Sequence, residues 1–439
     1  MDILQLSYMH LPDYLKACLL YFGSFLEDED FPVSKLIRLW IAEGFIRQTV
    51  VCSLENLAEN YLTDLIGRSL VITGYDEPFT SFDELDCGAD FIDHYPSKPV
   101  TFERHRICIC LNRKHFVMSN PSGPCTRSLL FFATVDPYPR RPYDISFIPR
   151  HFKLLRLRYL AVSGDIDFIP PSISNLRKLE TFIVKGLKGK VVLPDSIWSM
   201  ERLRHIHVNT HVDFNFQDDK PGNSLKLVNL VSFSLPSIAR GKAAKMILRR
   251  MPNLRKFECI YLESWDAYTN YNRFPVLDLL IHLESLKILY VGRALNPGEL
   301  NLPWNSKKLT LSSFRLPWTH ISAIGKLPNL EVLKLLSRAF EGPRWDMREG
   351  EFLGLKYLKL DSLKIVQWNA SSDHLPNLQQ LHLQNCKDLE EVPLAFADIN
   401  TLQMIEVQSC GLTTEESVKR IGNECMKGLK IIINNKIYL

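Results

Sequence analysis

No stretch of the 439-residue sequence holds the ~18 consecutive apolar residues that a membrane-crossing helix needs, so no such helix is expected. The opening Met1-Asp2-Ile3-Leu4-Gln5 has no basic segment leading into an apolar one, so no secretory signal is expected. Ten cysteines are scattered and none form a C-x-x-C pair; without a secretory signal they read as reduced, mostly buried thiols. The one cluster, Cys108-Ile109-Cys110 with His105, lacks four ligands at zinc spacing and reads better as part of a strand. The single sequon, Asn369-Ala370-Ser371, reads as chance in an intracellular chain. Charge of one sign is also scarce: a net +4 spread over the chain does not make the concentrated basic face of a nucleic-acid binder. Neither G-x-S-x-G nor H-E-x-x-H occurs, and no carboxylate pair can be assigned to a pocket, so an enzyme reading has no foothold.

What the sequence does have is repetition. Leu330-Glu331-Val332-Leu333-Lys334-Leu335, Leu355-Lys356-Tyr357-Leu358-Lys359-Leu360 and Leu378-Gln379-Gln380-Leu381-His382-Leu383 are three copies of Leu-x-x-Leu-x-Leu. Their first leucines are 25 and 23 residues apart, and the next copy, at Leu402, follows after 24. Looser copies start at Leu157, Leu179, Leu203, Leu230, Leu254, Leu286 and Leu429, and in a degenerate one Ser306 stands where the first leucine should. An interval of ~20–29 residues is that of leucine-rich repeats. The alternation within each copy is that of a short strand, and no single repeat can bury its own leucines. Stacked repeats bury them in one continuous core with the strands in parallel. The return segments are visible at Ile169-Pro170-Pro171-Ser172-Ile173, Leu193-Pro194-Asp195-Ser196-Ile197-Trp198 and Val392-Pro393-Leu394-Ala395-Phe396, where proline keeps the chain out of a central ladder. A 32-residue step from Leu254 to Leu286 carries Trp265, Tyr268 and Tyr271 and reads as an insertion or a longer return loop.

The positions between the leucines face outward on the strands. Arg204, His205, His207, Lys287, Tyr290, Glu331, Lys334, Lys356, Tyr357, Lys359, Gln379, His382 and Glu406 are therefore the candidate partner-binding residues of a concave strand face. Aromatic, basic and amide side chains together suit recognition of another protein.

The first 75 residues have the helical period instead. Leu15, Leu19 and Leu20 recur at helix spacing, as do Leu36, Ile37, Trp40 and Ile41 in a helix that opens at Ser34 and stops at Gly44. A further helix is expected from about Leu54 to Leu65, followed by a strand at Arg68-Ser69-Leu70-Val71-Ile72, which completes a winged-helix order. The segments Leu6-Ser7-Tyr8, Leu11-Pro12, Leu15-Lys16-Ala17-Cys18-Leu19-Leu20-Tyr21, Phe31-Pro32 and Leu36-Ile37-Arg38-Leu39-Trp40-Ile41-Ala42-Glu43-Gly44-Phe45-Ile46 resemble the winged helix of plant nucleotide-binding leucine-rich-repeat disease-resistance proteins. Tyr61-Leu62-Thr63-Asp64-Leu65-Ile66-Gly67-Arg68-Ser69-Leu70-Val71 extends the resemblance, which is nearest to the coiled-coil group similar to late-blight resistance proteins. Leu39, Trp40, Ile41, Ala42, Glu43, Gly44 and Phe45 are its structural signature.

The resemblance implies an ADP/ATP-controlled switch in plant defence and the hypersensitive response, with repeats that restrain the switch and sense a pathogen effector or a guarded host protein. The sequence departs from it in lacking G-x-x-x-x-G-K-[ST], so no cofactor is expected on this chain itself and ADP or ATP belongs to the full-length family. The family's Met-His-Asp motif is also missing: His94, His105 and His115 are not followed by aspartate. Two repeats look fused near Phe152-Lys153-Leu154-Leu155-Arg156-Leu157, and the chain reads as a truncated or rearranged member.

The expected fold class is α/β: a small, mainly α winged helix over residues 1–75, an irregular linker over 76–125 and a leucine-rich-repeat solenoid of about twelve repeats over 126–439. A winged helix of this size buries only ~60 % of its chain surface, so it either docks on the first repeats or is the least stable part. Protein partners are expected, including intact receptors of the same family, in the cytoplasm; peripheral attachment to a membrane stays open, and nucleic acid is not expected. The alternative, an F-box-type repeat receptor of a ubiquitin ligase, rests on Leu11-Pro12-Asp13-Tyr14-Leu15.

Overall fold

The computed structural model describes residues 7–23, 32–47, 52–71, 106–109, 126–132, 156–186, 189–215, 225–239, 242–262, 277, 279–292, 300–425 and 428–438. They fall into two compact units, Met1–Leu230 and Val231–Leu439. No described helix is long and apolar enough to cross a membrane. The insertion residues Trp265, Tyr268 and Tyr271, the histidines His94, His105 and His115, Cys110 and the 151–155 stretch lie outside the described residues.

The first unit opens with three helices, α1 (Asp13–Phe22), α2 (Val33–Glu43) and α3 (Leu54–Gly67). Helix α2 ends where the periodicity stops, because Gly44 takes φ +79° without the steric cost that a Cβ imposes there, and its N–H and that of Phe45 return to Ile41 and Trp40. Ser53 starts α3 by accepting the N–H of Asn56. The strand expected at 68–72 is not found over residues 68–71. The N–H groups of Ser69 and Leu70 return to Ile66 and Leu65, so these residues close the C-terminal turn of α3 and have no donors left for a ladder.

Five parallel strands follow: β1 (Arg106–Ile109), β2 (Ser128–Phe132), β3 (Tyr159–Gly164), β4 (Thr181–Gly186) and β5 (His205–Asn215), paired in chain order. Strand β1, which contains Cys108, lies inside the 76–125 stretch expected to be irregular, so the repeat ladder starts earlier than expected. Leu129, Leu160, Phe182 and Ile206 stand in one register row and fill the interior. The return segments Pro171–Asn175 and Asp195–Ser199 are short 3-10 helices, each with a buried isoleucine.

The second unit continues the pattern with β6 (Ser232–Ala239), β7 (Lys256–Leu262), β8 (Ser285–Val291), β9 (Lys308–Ser312), β10 (Val332–Leu336), β11 (Tyr357–Asp361), β12 (Gln380–Gln384), β13 (Met404–Gln408) and β14 (Lys430–Ile433), all parallel. Helix α4 (Lys242–Arg249) lies between β6 and β7, α5 (Ile321–Gly325) between β9 and β10, and α6 (Leu412–Glu424) between β13 and β14. Ser306 is fully buried, in the place of a repeat leucine.

Each strand begins on one carbonyl of the strand before. Glu331 O accepts from the N–H groups of Lys356 and Tyr357, Lys356 O from Gln379 and Gln380, and Gln379 O from Gln403 and Met404. From β9 to β14 each strand is followed by a residue with left-handed backbone: Ser313, Ser337, Ser362, Asn385, Ser409 and Asn434, with φ between 47° and 65°. On the return side Trp318, Trp345 and Trp368 stack at 4.7 and 5.0 Å, and Phe396 meets Trp368 edge-on at 5.1 Å. Trp345 and Trp368 are register partners on two further short parallel strands, so the stack is set by the repeat period.

Candidate functional site

A strand face is a recognition surface only where its outward side chains meet solvent. The register identifies two outward rows in the first unit: Ser128, Tyr159, Thr181 and His205, then Leu130, Ala161, Ile183 and His207. All eight are buried. The cover is the helical module. Leu130, Tyr159, Ala161 and Ile183 belong to the same apolar cluster as Leu15, Leu36, Leu39, Trp40, Ala58 and Leu65. The winged helix therefore docks on the first repeats.

Polar contacts fix that docking. The Arg127 guanidinium donates to the Glu43 carbonyl, and the Ser128 hydroxyl donates to the Glu43 carboxylate at 2.6 Å. Glu55, on α3, accepts from Arg204 through two nitrogens at 2.7 and 2.9 Å and lies 3.2 Å from His205 Nε2. Burial by itself would raise the Glu55 carboxyl, but the His205 and Arg204 contacts outweigh it and hold it well below the carboxylate range. Burial pushes the His205 imidazole down to about 4, against the opposing pull of Glu55. His205 and His207 thus face outward as expected but lie under the helices, and Arg204 is engaged with Glu55. None of the three stands on an open face.

Over β10–β13, in the second unit, the equivalent rows are half-open. One runs Val332, Tyr357, Gln380 and Met404; the other runs Thr310, Lys334, Lys359, His382 and Glu406. All are half-buried, with the leucines between them buried. Here the expected residues come together. Lys334 Nζ lies 5.5 Å from the centre of the Tyr357 ring, and Tyr357 lies 4.8 Å from the His382 ring. His382 Nδ1 is 3.0 Å from Glu406 Oε2, and the Gln408 amide donates to Glu406 Oε1 at 2.6 Å. Lys359 sits between Lys334 and His382 in the row. Asp361, next outward on β11, is held by Ser362 and Asn385 at 2.7 and 3.3 Å. A cation, an aromatic ring, an imidazole and a carboxylate thus occupy four consecutive strands.

Two expectations need correction. Tyr290 is not on the outward face. Leu286 pairs with Phe257, so this repeat begins at Leu283, three residues earlier than the leucine pattern suggests, and the step from Leu254 is 29 residues. Leu286, Ile288 and Tyr290 then point inward together, and Tyr290 stacks on Phe314 at 5.3 Å and meets Tyr261 at 5.7 Å. Lys287 does face outward, where it binds Glu258 at 2.7 Å. Second, Glu331, Lys356 and Gln379 precede their strands and form a separate edge row, equivalent to Arg204, in which Lys356 and Glu331 pair at 3.2 Å with both nearly half exposed. The leucine pattern alone does not reveal either the cover over the first unit or the Glu258–Lys287 pair, although the apolar outward residues Leu130, Ala161 and Ile183 are a legible sign of the cover.

Among the described residues no group of three or more His, Cys, Asp or Glu could hold a metal ion. The amide of Asn369, in the sequon, donates to Asp346 at 2.6 Å.

Residues 25–85 match the model of the disease resistance protein winged helix domain, and residues 149–323 match that of a leucine-rich repeat region. Neither is a catalytic domain. Similar curated proteins from Solanum demissum include the putative late blight resistance protein homolog R1B-16, 35 % identical over 467 aligned positions. That alignment covers 95 % of this chain and 36 % of the relative. Late blight resistance protein R1-A is 33 % identical, again over 95 % of this chain and 36 % of its own length. The chain thus spans about a third of the length of the curated relatives it matches. Solved structures are similar only loosely: a Leptospira interrogans LRR protein at 15 % identity and TM-score 0.36, covering 72 % of this chain and 92 % of that one, and a Listeria monocytogenes internalin at 14 % identity and TM-score 0.36, covering 64 % and 81 %.

Proposed function

Since this chain belongs to the late-blight type of disease-resistance proteins, with a winged helix and leucine-rich repeats, we propose that it works in plant defence as a protein-recognition module. Its recognition face is the outward side of β10–β13, where Lys334, Tyr357, Lys359, His382 and Glu406 meet a pathogen effector or a host protein that an effector alters. The observation that carries this reading is the contrast between the outward rows of β2–β5, buried under helices, and those of β10–β13, half-open. The chemistry of the open row is that of hot spots: an aromatic ring with a cation above it, beside a charged pair.

The docked helices support a second part of the proposal, autoinhibition. The winged helix packs its apolar face on β2–β4, so a partner or a conformational change that parts them exposes that face. The sequence supplies no phosphate-cradling loop, so the nucleotide that drives such a switch is assigned to the rest of a full-length receptor, and the module to the cytoplasm. The F-box alternative loses support, because its segment leads into the winged-helix match and Leu11 and Leu15 are buried in the helical core.

The test is site-directed photocross-linking in plant cells challenged with the pathogen. A photoreactive residue at Lys359 is expected to capture a defined protein, whereas one at Lys364, on the return side, is not. Equal capture from both positions overturns the recognition face. Calorimetry with ADP or ATP and magnesium is expected to show no heat of binding to this chain; micromolar binding overturns the assignment of nucleotide to other domains.

A further inference from the structure

Along one edge of the second unit, apolar side chains stand in water at a repeated place. Ile281, Trp304, Pro328, Leu353 and Pro376 each precede by two residues the first inward position of their repeat, which is Leu283, Ser306, Leu330, Leu355 or Leu378. All five are exposed, Trp304 to 66 %, Ile281 to 63 % and Leu353 to 54 %. They introduce β8–β12, which pair in chain order, so the strand spacing sets these tips in a line roughly 20 Å long. Side chains tie the line from repeat to repeat. The Asn305 amide donates to Ile281 O and the Asn377 amide to Leu353 O, each at 2.8 Å, and the Thr401 hydroxyl donates to Pro376 O at 3.1 Å.

The charge beside this line is of one sign where it meets water. From two residues before each tip to four after it, and over 250–256 at the same place in the preceding repeat, the exposed charged residues are Lys256, Lys307, Lys308, Lys326 and Lys356. The carboxylates there are less open. Glu284 is half-buried and lies 3.9 Å from Arg255 and 3.6 Å from Lys307, Glu331 is half-buried and pairs with Lys356 at 3.2 Å, and Glu351 is buried. Filling a turn accounts for the two prolines, but not for an indole and two branched aliphatic chains that leave more than half of their surface in water. Side chains this exposed stand out from the turns and enclose no groove for a peptide, and lysine is the cation that protein interfaces tend to avoid. A flat anionic bilayer fits both features. An indole sits at headgroup level, aliphatic tips enter the acyl boundary, and lysine stems lie along apolar surface while their ammonium groups reach lipid phosphates.

We propose that this edge is a docking surface for an anionic lipid bilayer, with Ile281, Trp304 and Leu353 inserted among the headgroups and the lysines paired with lipid phosphates. The two contributions separate by their physics: attraction of the lysines to lipid charge is screened by salt, whereas burial of the tips is not. Lys334, Tyr357, Lys359, His382 and Glu406 are not tips, so lipid and protein recognition use different residues of the unit, and the proposal stands apart from the recognition reading.

The test floats the full chain with vesicles of phosphatidylcholine alone or with about a third phosphatidylserine. Binding to the anionic vesicles is expected, about tenfold or more tighter than to the neutral ones and weakened by salt. Trp304→Ser combined with Leu353→Ser is expected to weaken it about tenfold or more, and Lys308→Glu combined with Lys326→Glu to remove the preference for phosphatidylserine. Both variants should melt as the parent does, because all four positions are exposed, and Lys359→Ala should bind vesicles like the parent. The blue shift of tryptophan emission on binding is expected to disappear in Trp304→Phe, which keeps an aromatic tip. No flotation with anionic vesicles, flotation unchanged by the tip substitutions, or an emission shift that survives Trp304→Phe overturns the proposal. Capture of a soluble polyglutamate peptide in place of the vesicles also overturns it and assigns the edge to an acidic protein.

Discussion

The same repeat meets two fates in this molecule. In β2–β5 the outward rows hold Leu130, Tyr159, Ala161 and Ile183 and are roofed by helices; in β10–β13 they hold Lys334, Tyr357, Lys359, His382 and Glu406 and are half-open. The inward rows are alike, so the repeat period governs stability, while the outward residues decide whether a stretch of ladder becomes an interface within the chain or a face for a partner. Equivalent positions also change meaning. Arg204 and Lys356 occupy the same place before their strands, yet Arg204 grips a buried carboxylate and Lys356 an exposed one.

The largest expected effect treats both regions as one. Leu358→Ala removes a fully buried inward leucine and is expected to cost about 2–5 kcal/mol in urea unfolding, as is Leu160→Ala in the first unit. A much smaller loss at either site breaks the claim of a shared core. The comparison sharpens at the row before the strands. Glu55→Ala leaves Arg204 without its partner and is expected to cost the first unit about 3 kcal/mol, whereas Glu331→Ala is expected to change the second by no more than about 0.5 kcal/mol, because its partner Lys356 is well solvated. Matching values for the two would show that Glu55 is not an anchor.

Acid should separate the two regions as well. His205 is pushed down to about 4 from its ordinary 6.5, so its contribution is fully present above pH 6.5 and is lost as the pH falls towards 4. Glu55 is also lowered, so its contribution holds above about 4.5 and fades only below that. Both signs agree: acidification loosens the helix-covered unit, with His205 alone responsible for up to about 3 kcal/mol between pH 6.5 and 4. Hydrogen exchange on α1–α3 against pH is the measurement, and His205→Gln should flatten it; an unchanged profile in that variant assigns the dependence elsewhere. The smallest expected effect is Lys359→Ala, within about 0.5 kcal/mol in stability, with any loss confined to partner capture. If that substitution melts the ladder, Lys359 is not on the outward row.

Much of this organisation is legible in the chain itself. Leucines every 23 to 25 residues require stacked strands, Gly44 marks the end of a helix, and prolines mark the return side, because each follows from local geometry and from the need to cover apolar side chains. The open cluster of Lys334, Tyr357, Lys359, His382 and Glu406 is readable as well, since strict alternation leaves no other direction for those side chains. Where repeats are degenerate, the pattern slips. Leu286 looks like a first leucine and is a fourth one, because Leu283 and Leu286 both fit a spacing of three and only pairing with Phe257 decides between them.

By itself, then, the sequence determined the repeat period, the parallel ladder and the helical character of the first 75 residues, all consequences of neighbours along the chain. Tertiary structure alone decided that α1–α3 lie on β2–β5 and that Glu55 finds Arg204 from 149 positions away. Those contacts depend on which surfaces shed water against each other, and alternation says only which way a side chain points, not what it meets there.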